Sequence, residues 1–111
     1  MIVPNLFRFL FFRKFIKMTT VDAVKDQNAT FIDIRESYEL ELDGKIDKAI
    51  NIPLTQIPDR IDEIKQMQKP IVIFCRGGNR AASAFQFLID KGVENVFCGG
   101  GYEDVQEILN T

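Results

Sequence analysis

The sequence predicts a single α/β domain with a mostly parallel central sheet and helices on both faces. Short apolar runs typical of buried strands alternate with segments whose apolar residues recur at helical spacing. Strands that alternate with helices indicate βαβ units, in which crossover helices cover both faces of a parallel sheet. The chain has 111 residues, which suffices for one packed core and is too short for two.

The first half of this domain contains two predicted strands. The predicted elements are, in chain order, a helix over 19–27, a strand over 31–34, a loop or single helical turn over 35–40, a turn at 43–44 and a strand over 49–52. Thr19 or Thr20 can cap the helix through its hydroxyl oxygen. Polar residues bound the first strand, and Pro53 stops the second.

The second half repeats the alternation of helix and strand. The predicted elements are a helix opened by Pro58, a strand over 71–74, a glycine-containing loop over 75–80, a helix from Ala81 to Lys91, a strand over 93–98, a turn at 99–101 and a helix over 102–109. Lys69-Pro70 ends the first of these helices, and Gly92 ends the second. The glycine run 99–101 is expected to turn the chain into the last helix.

The first 17 residues have a different character. They hold five of the ten phenylalanines and four of the 14 basic residues, but no acidic residue. Their apolar stretch is far shorter than the ~20 residues that span a bilayer. We interpret residues 1–17 as an apolar and basic leader that is disordered or a non-native extension, and residues 18–111 as the domain. An interfacial anchor, which would bring a membrane contact, is the alternative.

Charge and composition exclude several classes of function. The net charge is −2, and it is −6 from Met18 onward, where ten basic residues face 16 acidic ones. We therefore expect no nucleic-acid partner. The chain has no histidine, which removes serine triads, cysteine-histidine dyads and most metal-dependent hydrolases. Two cysteines cannot form a zinc site or a disulfide framework, so we expect no metal and no cofactor.

Cys75 is the candidate nucleophile. It follows the apolar strand and opens a loop that contains two glycines and two arginines, directly before a helix. Such a loop can point several N–H groups inward, and the helix adds the positive end of its dipole. A thiol at this position is expected to be largely a reactive thiolate. The alternative is a buried cysteine that only packs at the strand end.

Five segments in register resemble the single-domain form of the rhodanese-like family, over residues 19–109. They are Ile32-Asp33-Ile34-Arg35-Glu36, then Gly44-Lys45-Ile46 leading to Ala49-Ile50-Asn51-Ile52-Pro53-Leu54, then Phe74-Cys75-Arg76-Gly77-Gly78-Asn79-Arg80-Ala81, then Phe87-Leu88 through Gly92, and finally Val96 with the glycine run. The chain departs from the family at Lys45, where histidine is common, at Asp47-Lys48, where a Pro-Gly turn is common, and at Tyr102, where tryptophan is common. These departures concern local packing and partner contacts rather than the thiol loop.

The resemblance implies a sulfurtransferase that takes a sulfane sulfur from a donor such as thiosulfate. Cys75 would hold it as a persulfide and pass it to cyanide, a thiol or a protein acceptor. The substrate-binding residues would be those of the loop, Arg76, Gly77, Gly78, Asn79 and Arg80, with both arginines attracting the anionic donor. Asp33 is expected to form structural hydrogen bonds, and Arg35 to support the site from outside it. A free catalytic thiol fits a reducing, cytoplasmic setting.

Three other functions remain open at this point. A phosphatase or an arsenate reductase is disfavoured because four residues separate Cys75 from Arg80, whereas the resemblance implies five in cysteine-dependent phosphatases. A catalytically silent binding or regulatory module is the other alternative, although the retained cysteine argues against it. Cys98 is expected at the same carboxyl edge of the sheet as Cys75. We interpret it as a buried packing residue rather than as a thiol that attacks a Cys75 persulfide.

Overall fold

A computed structural model describes residues 17–111. The predicted leader 1–17 therefore lies outside the described residues, apart from Lys17, which is exposed. The elements are α1 (Thr20–Lys25), β1 (Thr30–Asp33), α2 (Ser37–Asp43), β2 (Ile50–Asn51), a 3-10 helix (Leu54–Arg60), α3 (Ile61–Lys65), β3 (Ile71–Cys75), α4 (Asn79–Asp90), β4 (Val96–Gly101) and α5 (Tyr102–Leu109). Within this part of the chain, no helix is both long and apolar enough to cross a membrane.

The four strands form one parallel sheet in the order β2-β1-β3-β4. Alternate residues of the central strand β3 point to opposite faces, and all five are buried. Ile71, Ile73 and Cys75 pack in a core with residues of α3 and α4. Val72 and Phe74 pack in a second core with residues of α1 and α5. The predicted α/β class, parallel sheet and helices on both faces are confirmed.

Residues 37–40 belong to helix α2, which continues to Asp43, so the predicted loop or single helical turn over 35–40 is too short. Helix α2 has seven residues, and it ends at Gly44, which has a φ of +90°. At its start, the Glu36 N–H donates to the Glu39 carboxylate at 2.8 Å. The apolar residues Tyr38 and Leu42 of this helix are exposed, so no apolar face toward the core marked it as helical.

The glycine run 99–101 is part of β4, so the predicted turn at this place is also wrong. Phe74 pairs with Gly100 and Cys75 with Gly101, and a β-bulge places Gly99 as the extra residue. A Cβ atom on Gly99 would lie 2.7 Å from Cγ2 of Val105. The glycines therefore allow β4 to pack closely against α5 and the thiol loop rather than change the direction of the chain.

Several boundaries also differ from the predicted ones. The strand predicted from Val93 begins at Val96, and the helix predicted from Ala81 begins at Asn79. The strand predicted over 49–52 is reduced to two residues, and Pro58 lies inside the 3-10 helix rather than at the start of an α-helix. Element ends depend on hydrogen-bond geometry, which apolar periodicity does not report.

An ion pair joins α2 to α4 above the sheet. Arg80 donates from Nη1 to Oε2 of Glu39 at 2.7 Å and from Nη2 to Oε1 at 2.8 Å. The Glu39 side chain is nearly buried, and these bonds lower its pKa from 4.5 to about 2. The same carboxylate accepts the Glu36 N–H at the start of α2. One side chain thus holds two helices together.

We expect Gly101→Ala to destabilise the fold by about 1–3 kcal/mol, since an added Cβ would clash with the backbone carbonyl of Arg76. A carbonyl of the main chain cannot rotate away as a flexible side chain can. Gly77→Ala is the matched control, because its Cβ would have no atom within 4 Å. The measurement is the free energy of unfolding in urea, and equal stability of the two variants would contradict the close contact.

We expect Glu39 to contribute stability that disappears as pH falls from about 4.5 to about 2. The pKa of this group is depressed in the folded state, so the contribution is present above the unfolded pKa and is lost toward the folded one. The measurement is the melting temperature of the wild type and of Glu39→Gln across this range. The difference between the two proteins should shrink at low pH, and a constant difference would contradict the assignment.

Candidate active site

The thiol of Cys75 lies at the carboxyl end of the central strand and at the start of α4. Cys75 is only 1% exposed. The sulfur atom accepts a hydrogen bond from the Gly78 N–H at 3.0 Å and another from the Ala81 N–H at 3.4 Å. Two N–H groups therefore point at one sulfur atom, an arrangement that stabilises negative charge on it.

Gly78 makes this arrangement possible. Its φ of +100° lies in the region that side-chain-bearing residues rarely adopt, and it turns the loop so that its own N–H faces Cys75. Helix α4 then runs for 12 residues from Asn79. The N–H groups of its first turn have no partners within the helix, and the helix dipole is positive there. The sulfur atom occupies an anion-binding position.

The glycines of β4 support the loop from the other side. Gly101 lies against the carbonyl of Arg76, and a Cβ built on Gly78 would lie 3.4 Å from Cα of Gly100. The Gly101 N–H donates to Asp104 at 2.9 Å, which fixes the start of α5. Backbone packs against backbone here, so the loop has little freedom to move away from Cys75.

A cavity of about 600 Å³ opens above the thiol. Its lining residues come from the thiol loop, the end of α2 and the start of α5, and they are Asp43, Cys75, Arg76, Gly77, Asn79, Arg80, Tyr102 and Glu103. All the predicted residues of the loop except Gly78 therefore line the cavity. Gly78 instead donates its N–H to the sulfur atom of Cys75. Asp33 and Arg35 do not line the cavity.

The two loop arginines differ in their surroundings. Arg80 is held by two hydrogen bonds to Glu39, which raise its pKa. Arg76 is 64% exposed, and its Nη1 is 3.5 Å from Oδ2 of Asp43. An exposed pair at this distance contributes little and breaks easily. Arg76 is therefore the more available of the two cations to a small anion in the cavity.

Asp33 and Arg35 form a buried ion pair beneath the site. Arg35 donates from Nη2 to Oδ2 of Asp33 at 2.7 Å and to the Gly44 carbonyl at 2.9 Å. The hydrogen bonds to Asp33 raise the pKa of Arg35. The guanidinium lies 4.3 Å from the centre of the Tyr102 ring, and the Tyr102 hydroxyl donates to the Asp43 carbonyl at 2.7 Å. The pair thus supports the cavity wall through Tyr102.

Asn51 ties the second strand to this buried pair. Its side-chain amide donates to the carbonyls of Asp33 and Arg35, each at 2.9 Å. The Ile52 N–H donates to the Asp33 carbonyl at 3.0 Å. The segment that precedes Pro53 therefore completes the hydrogen bonding of the chain as it leaves β1.

Sequence reasoning missed four residues that shape the site, namely Glu39, Asp43, Tyr102 and Glu103. The start of α2 carries no usual capping residue, because Glu36 stands at the N-cap where serine, threonine, aspartate or asparagine is typical. The sequence marks Tyr102 only as a position where the family commonly has tryptophan. No sequence pattern marks Asp43 and Glu103, because their helices bring them to the cavity from distant parts of the chain.

Cys98 lies in the middle of β4, so its expected place at the carboxyl edge is wrong. It pairs with Ile73, two residues before Cys75 along β3, since β4 continues to Gly101. It is partly buried against the same core as Cys75, and both thiols are free. Its position fits the packing interpretation.

Comparisons with known proteins agree with this geometry. The sequence model of the rhodanese-like domain matches residues 19–108. A rhodanese-related protein from Thermoplasma volcanium has 30% identity and a TM-score of 0.65, over 79% of this chain and 87% of that one. A human single-domain sulfurtransferase has 26% identity and a TM-score of 0.54, over 72% and 82%.

A curated relative from Erwinia tasmaniensis, named tRNA uridine(34) hydroxylase, is 36% identical in an alignment that covers 75% of this chain and 25% of the relative. A relative of the same name from Hamiltonella defensa is 35% identical over 68% of this chain and 22% of the relative. The chain therefore spans about a quarter of the length of the curated relatives it matches. With the fold, the thiol loop and the match over residues 19–108 in agreement, this chain belongs to the rhodanese-like domain family.

Proposed function

We propose that this protein is a sulfurtransferase that carries a sulfane sulfur on Cys75 as a persulfide. The observation that carries the proposal is the pair of N–H groups, from Gly78 and Ala81, that donate to the Cys75 sulfur beside an open cavity. Membership of the family and the similarity to a sulfurtransferase support it. Neither the donor nor the acceptor follows from the family alone.

Loading of the enzyme requires no general acid. The Cys75 thiolate attacks the outer sulfur of thiosulfate, the sulfur–sulfur bond of the donor breaks, and sulfite leaves with the electron pair of that bond. The persulfide then carries one negative charge on its outer sulfur, which lies in the cavity at the start of α4. This route suits a chain with no histidine, because sulfite is a stable anion without a proton.

The sulfur atom is passed on at the same site. Cyanide or a thiolate attacks the outer sulfur, the bond to Cys75 Sγ breaks, and the Cys75 thiolate is restored. The hydrogen bonds from Gly78 and Ala81 stabilise the leaving thiolate. A thiol that cycles in this way needs reducing surroundings, so we place the reaction in the cytoplasm.

Sulfur transfer fits this site better than phosphoryl transfer. A phosphatase needs a free arginine in its loop to bind the oxygens of a phosphoryl group. Arg80 is instead bound by both nitrogens to Glu39, and four residues separate it from Cys75. The position around Sγ is therefore suited to a single additional sulfur atom. A silent binding module would have no need for two N–H donors on a free thiol.

The name of the curated relatives suggests a reaction on RNA as an alternative. For this chain we propose sulfur transfer instead. This chain spans about a quarter of their length. From Met18 onward it carries a net charge of −6, whereas affinity for nucleic acid comes mainly from positive side chains on phosphates.

We expect Cys75→Ser to abolish sulfur transfer from thiosulfate to cyanide without changing the melting temperature. Serine has nearly the same shape as cysteine but cannot form a stable persulfide. The assay measures thiocyanate formation, and mass spectrometry of the wild type should find one added sulfur atom on the Cys75 peptide. Cys98→Ser is the matched control and should retain activity. Thiocyanate formation by Cys75→Ser would refute the proposal.

We expect Arg76→Ala to raise the KM for thiosulfate several-fold and to reduce its dependence on salt. Arg76 is the exposed cation of the cavity, so its removal weakens attraction of a dianion but leaves Cys75 in place. Arg60→Ala is the matched control, since Arg60 also pairs with a carboxylate but lies outside the cavity. Equal KM values for the two variants would show that backbone N–H groups alone bind the donor.

A further inference from the structure

Helix α2, whose last residue Asp43 lines the cavity, presents two exposed apolar side chains. Tyr38 is 62% exposed and Leu42 is 78% exposed, and they lie one turn apart on the same side of the helix. The next residues along α2, Glu39 and Asp43, reach Arg80 and the cavity. Large exposed apolar residues beside a reactive group are typical of a surface that binds a partner. We call Tyr38, Leu42, Asp43 and Glu103 the acceptor face.

The charged side chains of the cavity beside the acceptor face carry a net negative charge. The charged side chains that line the cavity are two arginines, Arg76 and Arg80, and two carboxylates, Asp43 and Glu103. Glu39 adds a third carboxylate, directly bonded to Arg80. The sum is one negative charge before any sulfur is bound, and a persulfide on Cys75 adds another. Each loop arginine already has a carboxylate partner within 4 Å.

Transfer of sulfur to a thiol brings two anions together at this site. The acceptor thiolate must approach the anionic outer sulfur of the persulfide, and it does so past Asp43 and Glu103. Repulsion between like charges slows such an encounter, whereas a positive charge on the incoming group speeds it. Arg80 is held by Glu39, and Arg76 alone cannot balance Asp43, Glu103 and the persulfide, so the compensating charge comes with the acceptor.

We propose that the acceptor is a cysteine of a polypeptide in which lysine or arginine residues flank the thiol and an apolar residue contacts Tyr38 and Leu42. The acceptor thiolate attacks the outer sulfur, its bond to Cys75 Sγ breaks, and the new persulfide forms on the acceptor cysteine while Cys75 leaves as a thiolate. A small thiol could supply the same sulfur atom but could not cover Tyr38 and Leu42. This inference rests on the proposed persulfide and specifies its physiological acceptor.

The test uses the full chain loaded with one sulfur per Cys75, freed of donor and checked by mass. Two short peptides share one cysteine and one leucine and differ in whether lysine or glutamate flanks the cysteine. Their intrinsic reactivity is normalised by their rates with a small disulfide. We expect transfer to the lysine peptide to be about tenfold faster at low salt, and this ratio should fall as salt is added.

Variants of the acceptor face test its negative charge and its apolar contact separately. Asp43→Asn combined with Glu103→Gln should remove most of the preference for the lysine peptide, while Glu107→Gln, an exposed change elsewhere on α5, should leave it unchanged. Leu42→Ser should slow transfer to the lysine peptide but not to cysteamine, a small cationic thiol. Val21→Ser is its control, since Val21 is a half-exposed residue of α1 outside the cavity.

The outcomes distinguish this inference from the proposed function. If Cys75 takes up no sulfur, the proposed function fails. If the loaded protein transfers sulfur to both peptides at equal normalised rates, the function stands and the inference is overturned. If cysteamine and the lysine peptide react alike and Leu42→Ser affects neither, the acceptor is a small cationic thiol and the polypeptide acceptor is refuted.

Discussion

Contact between the glycines of β4 and the backbone of the thiol loop is the constraint on which the site depends. Gly101 lies against the Arg76 carbonyl, and Gly100 lies close to Gly78. No side chain separates these segments, so their backbones are in close contact. In this arrangement Gly78 has a positive φ, which only glycine adopts easily. That turn points the Gly78 N–H at Cys75 and starts α4 beneath the same sulfur atom. The anion-binding position is therefore made by backbone packing rather than by a charged side chain.

The side chains around this position set the charge of the cavity. Glu39 holds Arg80 with two hydrogen bonds, which lower the pKa of its carboxyl group to about 2. One loop arginine is therefore a structural cation that joins α2 to α4, while Arg76 stays accessible. Two residues that look equivalent in the sequence have different roles because only one of them meets a carboxylate with matching geometry.

Much of the architecture could be predicted because it depends on local patterns. The apolar runs of β1 and β3 and the helical spacing of α4 are properties of neighbouring residues, and Cys75 with its glycines is contiguous in sequence. The errors arose where structure depends on distant contacts. Helix α2 has exposed apolar residues and is held by Arg80, 41 positions away from Glu39. The glycines of β4 looked like a turn because the close contacts that require them are with α5, β3 and the thiol loop rather than with their chain neighbours.

The same distinction explains why the place of Cys75 at the end of a strand could be predicted but the charge around it could not. Asp43 and Glu103 lie 60 positions apart, and they meet at one cavity because Tyr102 joins the two segments by a hydrogen bond to the Asp43 carbonyl. Tyr102 is held in turn by Arg35, whose charge is balanced by Asp33 in the interior. A buried ion pair that touches no substrate thus determines where two carboxylates lie. Through them, it sets the charge that an acceptor must carry to reach Cys75.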